Sequence, residues 1–185
     1  GVQTCALPIL DVHHVDLRLN TRINAEDLVS AGYEHVVVAT GITPRVPELE
    51  GIDHPKAVSY VDVIRGNVEV GKRVAVMGAG GIGFDVSELI MHKGVSAATD
   101  KQVFAREWGV DFVNHPRGGV TGVVPQVEAA DRQVFLRQRK STPGGRGLGK
   151  TTGWTHRMAL AKRGVQMMNG IEYRKIDDKD LHISI

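Results

Sequence analysis

The residues best placed to do chemistry stand in one short run, Arg73–Asp85, R-V-A-V-M-G-A-G-G-I-G-F-D. Val74–Met77 is apolar and of strand length, and it ends in Gly78-Ala79-Gly80-Gly81-Ile82-Gly83, a G-x-G-x-x-G spacing. Ile82, Val86, Leu89 and Ile90 follow at helical intervals. Strand, glycine turn and helix in this order form a dinucleotide-binding fingerprint. Each glycine has a physical task. Gly78 allows the tight turn, Gly80 removes the Cβ that would hold a pyrophosphate off the backbone, and Gly83 lets the helix pack close to the strand. The helix N-terminus then offers free N–H groups and partial positive charge to phosphate oxygens.

A second phosphate signature lies downstream. Gly144–Thr151, G-G-R-G-L-G-K-T, matches G-x-x-x-x-G-K-T, the loop of nucleoside triphosphatases. Three features oppose that reading. Arg139–Pro143 separates the loop from the preceding strand. The next apolar strand, Val165–Met168, ends in Asn169 and not in an Asp suited to magnesium. The fold already holds a complete dinucleotide turn. The loop is expected to close over a nucleotide, with Lys150 and the Thr151 amide near its phosphates, or to be purely structural.

Which dinucleotide is bound depends on the end of the second strand, where an acidic residue would accept hydrogen bonds from a ribose 2′-hydroxyl. Counting about twenty residues from the fingerprint reaches Asp100, but Asp100 sits in a long insertion and not at a strand end. The second strand is expected at Gln133–Gln138, and its exit carries Arg137, Arg139 and Lys140. Cations there suit a 2′-phosphate, so NADPH is the expected cofactor, held by Arg139 and Lys140.

These motifs need elements to carry them. The 185 residues are 42% hydrophobic and 24% charged, which fits a globular α/β protein, and the net charge of +2 gives no reason to expect nucleic acid. No apolar run approaches a membrane span. The single Cys5 can supply neither an internal disulfide nor a cysteine cluster. Strands are expected at Val15–Leu19 and Tyr33–Thr40, with a helix Ala25–Ala31 capped by Asn24 between them. A crossover, Thr43–Pro55, and a helix from Ser59 to Arg65 lead to the fingerprint. The helix after it is expected to end near Lys93. Gly94–Asp131 is rich in breakers and too long for a connecting loop, so it reads as an insertion. A helix, Thr151–Arg163, carries Trp154, Met158 and Ala161 on one face. Ile171–Ile176 and Leu181–Ile185 complete an antiparallel pair around Asp177–Asp180. The expected fold is a Rossmann-like, doubly wound nucleotide-binding domain over residues 65–185, preceded over residues 10–58 by the tail of another α/β domain. Residues 1–9 resemble the translation of a sequencing adapter and are expected to add nothing to the fold.

Tyr33–Gly41, Y-E-H-V-V-V-A-T-G, resembles the A-T-G strand end at which two-dinucleotide flavoproteins pass close to FAD, here at Thr40 and Gly41. More specifically, G-I-T-P-R, G-I-D-H-P, S-Y-V-D-V, G-A-G-G-I-G-F-D, L-R-Q-R-K and G-L-G-K-T-T-G-W-T-H-R together resemble the bacterial NADPH-dependent 2,4-dienoyl-CoA reductases, from about Asn20 to Ile185. That resemblance implies a cytoplasmic enzyme of unsaturated fatty acid oxidation. In it NADPH passes a hydride to FAD, and electrons then cross an iron–sulfur cluster to FMN in a barrel domain of the same polypeptide. It implies that this chain is the electron-entry part, with a partial FAD site and no catalytic residue of its own. The barrel, the cluster cysteines and the FAD pyrophosphate turn would lie outside it. His156 and Arg157 fall in the last motif and are expected to be helix-surface residues. A related amine dehydrogenase, in which such a domain holds a nucleotide without turnover, and a binding-only NADPH sensor share the same motifs.

Replacing Arg139 and Lys140 together by Gln removes up to two charge-assisted hydrogen bonds to a 2′-phosphate, each on the order of 1.5–3 kcal/mol. Calorimetric titration should show NADPH affinity falling at least about tenfold while NADH affinity barely moves. Equal losses for both would remove these residues from the 2′-phosphate site.

Overall fold

The computed structural model describes residues 8–114 and 122–185. The chain forms two compact units, Gly1–Arg45 and Val46–Ile185. Residues 46–58, which the sequence pattern groups with the preceding segment, fall in the second.

In the first unit, residues 8–12 form a helical turn, and Ile9 accepts a hydrogen bond from the His13 N–H at 3.1 Å. The adapter-like residues 1–7 lie outside the described residues, but Ile9 does take part in local structure. Helix α1, Ala25–Ser30, starts at a reciprocal cap: Asn24 Oδ1 accepts from the Asp27 N–H at 2.9 Å, and the Asp27 carboxylate accepts from the Asn24 N–H at 3.1 Å. The strands expected at Val15–Leu19 and Tyr33–Thr40 do not form; both stretches are exposed irregular chain, with Val37 89% accessible. The composition of 33–40 is that of a strand. A strand also needs a neighbour for its N–H and C=O groups, and none pairs with this stretch among the described residues.

The second unit is built on a parallel sheet. Helix α2, Tyr60–Arg65, is capped by Ser59 and ended by Gly66 at φ 71°. Strands β1, Arg73–Met77, β2, Gln133–Arg137, and β3, Gln166–Met168, lie in the order β1-β2-β3, all parallel. This is the βαβαβ half of a doubly wound sheet. The register sets Val76 beside Leu136, and Leu136 beside Met167. Helix α3, Gly81–Met91, follows β1, and helix α5, Gly153–Lys162, follows β2; the two pack together. Phe84, Val134, Leu136 and Leu160 are fully buried between sheet and helices.

Both helices turn faces that periodicity alone does not pick. On α3, Val86 and Ile90 are buried as expected, but Ile82 and Leu89 are each 48% exposed while Phe84 and Met91 face the core. On α5 the face of Trp154 and Met158 looks outward, and Gly153 and Leu160 carry the packing. The insertion contains a helix, α4, Lys101–Trp108, capped by Asp100, whose carboxylate accepts from the Gln102 and Val103 N–H groups at 2.8 and 2.9 Å. Asp100 is thus a cap and not a ribose acceptor. Arg163 joins Glu107 at 3.0 Å, and the Lys162 ammonium sits 4.3 Å from the Trp108 ring centre, so α4 is tied to the end of α5.

Strands β4, Glu172–Ile176, and β5, Leu181–Ser184, form the expected antiparallel hairpin, with an irregularity of register between Tyr173 and Lys175. The Ile176 N–H donates to the Glu50 carbonyl at 2.9 Å. Gly51, at φ 75°, lies so close that a Cβ there would be 2.0 Å from the Ile176 oxygen.

The tightest joint in the sheet–helix core is Gly83. A Cβ added there would lie 1.9 Å from the Gly78 carbonyl oxygen and 3.3 Å from a Leu136 methyl. Gly83→Ala should therefore lower stability by about 1–3 kcal/mol through forced backbone movement. Denaturant titration of the two proteins reads this directly, and an unchanged midpoint would show that α3 is not pinned to β1 by this contact.

Candidate functional site

The carboxyl ends of the parallel strands are where open α/β sheets bind ligands. Met77, Arg137 and Met168 are in register, so Gly78, Gln138 and Asn169 come next along the same edge. Gly78 takes φ 113°, which a side chain would strain, and its N–H donates to the Arg137 carbonyl at 2.7 Å.

Gly80 is the N-cap of α3, extended at φ −89° and ψ −172°, with no side-chain cap. A Cβ on Gly80 or Gly81 would meet no protein atom within 4 Å. Neither backbone strain nor internal packing asks for glycine at Gly80. What its missing side chain leaves is open space beside a helix N-terminus whose first N–H groups have no intrahelical acceptor. That is the cradle a pyrophosphate requires. Ala79 is 6% exposed and Ile82 is half-exposed, so of the two non-glycine residues of the turn only the position of Ala79 is closed off by protein.

Arg139 and Lys140 stand one and two residues beyond Gln138, are exposed, and make no ion pair among the described residues. Their backbone is fixed. The Gly170 N–H donates to the Lys140 carbonyl at 2.9 Å, and Gln138 Nε2 donates to the Lys140 and Thr142 carbonyls. Arg137 is held differently: its guanidinium lies 5.0 Å from the Phe135 ring centre and donates to the Gln166 carbonyl, and burial lowers its pKa without discharging it.

Sequence reasoning missed Tyr173. From β4 its hydroxyl donates to the Arg137 carbonyl at 2.9 Å, joining the hairpin to the end of β2 beside the glycine turn. Burial pushes the phenol above its ordinary value, against the Gly78 N–H and the charges of Arg139 and Arg137, so it remains a neutral donor. No local pattern announces a contact made 36 residues away.

The Gly144–Thr151 loop is laid against the glycine turn. The Gly145 N–H donates to the Ala79 carbonyl at 2.9 Å. Gly145 takes φ 73°, and a Cβ there would press on the Phe84 ring at 2.7 Å and on Leu148 at 2.8 Å. A Cβ on Gly153 would lie 2.7 Å from the Leu148 Cβ. Leu148 thus packs between Gly145 and Gly153, against the buried core. Arg157 is exposed on the helix surface, as expected, and its guanidinium donates to the Gly145 carbonyl at 3.2 Å. His156 faces Glu88 at 3.5 Å. Beneath the loop, Asn169 Oδ1 is buried without a partner, 3.5 Å from where a Gly144 Cβ would stand.

Thr40 and Gly41 belong to the first unit. They lie on exposed, irregular chain, with Gly41 at φ 79° and no atom within 4 Å of an added Cβ.

The chain belongs to the pyridine nucleotide-disulphide oxidoreductase family, whose profile matches residues 9–184. It is similar to a cinnamate reductase of Clostridium sporogenes, 31% identical over 80 residues, 43% of this chain and 12% of that protein. A bilirubin reductase of Mediterraneibacter gnavus is 31% identical over 96 residues, 51% of this chain and 15% of that one. A metal reductase of Desulforamulus reducens is 31% identical over 87 residues, 43% and 13% of the two chains. The structure of a 2-naphthoyl-CoA reductase bound to 2-naphthoyl-CoA has the same fold, with a TM-score of 0.58 and 20% identity, over 95% of this chain and 21% of that one. The chain thus corresponds to a small part of each of these proteins. The family is one of FAD- and NAD(P)-binding oxidoreductases. No helix among the described residues is long and apolar enough to cross a membrane.

Gly80→Val should abolish dinucleotide binding without unfolding the domain, because its Cβ meets open space and not protein and the poorer N-cap costs only about 1 kcal/mol. Fluorescence titration and a melt on the same sample test both halves. Normal binding would reduce the glycine turn to a structural feature.

Proposed function

We propose that this chain is the NADPH-binding, electron-entry part of a flavin-dependent reductase, and that the whole protein reduces a carbon–carbon double bond conjugated to a CoA thioester, as 2,4-dienoyl-CoA reductases do. The observation that carries the reading is the pairing of an open glycine cradle at the α3 N-terminus with a β2 exit that presents Arg139 and Lys140 and no carboxylate. Bound, NADPH supplies a hydride for a flavin to accept. The residues of this chain bind and orient. Gly80 and Gly81 admit the pyrophosphate to the helix N–H groups, Arg139 and Lys140 take the 2′-phosphate, and Gln138, Tyr173 and Gly170 hold the backbone that carries those two cations.

The substrate class rests on the extent of the motif resemblance from about Asn20 to Ile185. A relative named for cinnamate and a fold neighbour named for a CoA thioester support it. The strand after the Gly144–Thr151 loop ends at Met168 before Asn169 and offers no Asp for magnesium, which speaks against nucleoside triphosphate hydrolysis.

Calorimetric titration of the 185-residue chain should show saturable binding of NADPH, weaker binding of NADH by at least about tenfold for the lost phosphate contacts, and no binding of ATP with magnesium. With FAD added it should yield no stoichiometric yellow protein and no reduction of a dienoyl-CoA, because Thr40 and Gly41 alone do not hold a flavin. Tight ATP binding, or equal affinity for NADH, would overturn the assignment of NADPH. A yellow protein that oxidises NADPH would overturn the statement that the chain is catalytically incomplete.

A further inference from the structure

Forty residues, Arg132–Ile171, contain nine Lys and Arg and no Asp or Glu. Most of these cations are engaged. Arg132 donates to the Val70 and Ile90 carbonyls, Arg137 to Gln166 and Arg157 to Gly145; Arg163 pairs with Glu107, and Lys162 rests on Trp108. Arg139, Lys140, Arg146 and Lys150 are exposed and make no ion pair among the described residues. The first two have a role at the β2 exit. The other two lie on the loop that rests on the glycine turn, and they are not equivalent.

The glycine turn itself carries no cation, and the first turn of α3 holds none. A pyrophosphate seated there would meet only backbone N–H groups. The loop touches the turn at Gly145, through the bond to the Ala79 carbonyl, and that point is fixed from three sides. The Phe84 ring fills the space of a Cβ, the Arg157 guanidinium holds the Gly145 carbonyl, and Leu148 closes behind. Arg146 is the next residue, with its Cα about 3.8 Å from that of Gly145, so its side chain starts within an arginine's length of the turn. Gly147, with no atom within 4 Å of an added Cβ, leaves it room. Lys150, the lysine of the triphosphate signature, is four residues further on, past the partly buried Leu148.

We propose that Arg146 is the pyrophosphate-binding cation of this site, delivered to the glycine turn by the seated Gly144–Gly145 step, and that the lysine of the G-x-x-x-x-G-K-T signature, Lys150, is not. The proposal rests on the NADPH reading above. A planar guanidinium suits two oxygens of a phosphate at once. The work is divided along the edge of the sheet, with Arg146 serving the pyrophosphate that every nicotinamide dinucleotide has and Arg139 with Lys140 serving the phosphate that only NADPH has.

The test is calorimetric titration of the full chain with NADPH and with NADH, in low and in high salt, for the parent, Arg146→Gln, Arg146→Lys and Lys150→Gln. Both positions are exposed, and a thermal melt of each variant verifies folding. Arg146→Gln should weaken both dinucleotides by the same factor, at least about tenfold in low salt, with a smaller loss in high salt. Arg146→Lys should recover part of the affinity for both, and Lys150→Gln should bind like the parent. Arg146→Gln binding both dinucleotides normally, weakening NADPH alone, or Lys150→Gln losing as much would each overturn the proposal while leaving the NADPH reading in place. A parent chain that binds neither dinucleotide would overturn both.

Discussion

The site depends on how closely one helix approaches one strand. At Gly83 the first turn of α3 lies against the Gly78 carbonyl with no room for even a methyl group. That contact sets where the helix begins relative to the end of β1, and with it where the free N–H groups point. Gly78 turns the chain at a φ that only glycine takes without strain, Gly80 leaves the helix end uncovered, and Phe84 and Leu136 seal the joint beneath. Move α3 outward by the width of a Cβ and the cradle separates from the strand edge that carries Arg139 and Lys140.

The polar exit of β2 is held by backbone bonds from several directions, which is how an exposed, highly charged segment keeps one shape. Gln138 binds the Lys140 and Thr142 carbonyls, Gly170 binds Lys140, and Tyr173 reaches in from the hairpin to Arg137. None of these bonds uses the charged heads of Arg139 and Lys140. The scaffold is satisfied internally, and the two cations remain available to a ligand. The Gly144–Gly145 step follows the same design, with the Gly145 carbonyl and both Cβ positions engaged and Arg146 left over.

The glycine turn, the parallel strands, the hairpin and the caps at Asn24 and Ser59 were legible because each rests on local chemistry: a φ only glycine favours, an apolar run, a side-chain acceptor at a helix start. The failures are of another kind. Val36-Val37-Val38 has the composition of a strand, but pairing is a property of two segments and not of one. Helix α4 had its signals in Asp100 and Gly109, which were hidden among the breakers that follow. Trp154, Met158 and Ala161 share a face by helical spacing, yet Trp154 and Met158 are exposed and Gly153 packs where α5 meets Leu148. The triphosphate signature records backbone glycines and one lysine, and says nothing of the bond by which Gly145 seats the loop on Ala79.

The central claim is that the N–H groups at the start of α3 are the seat of a nicotinamide dinucleotide. Hydrogen–deuterium exchange of the chain with and without saturating NADPH tests it most directly, because it reads those N–H groups themselves. The account predicts slowed exchange confined to Gly80–Gly83, the Arg139–Lys140 exit and the Gly145–Gly147 step. Unchanged exchange at Gly80–Gly83, with protection appearing at Gly149–Thr152 instead, would contradict it.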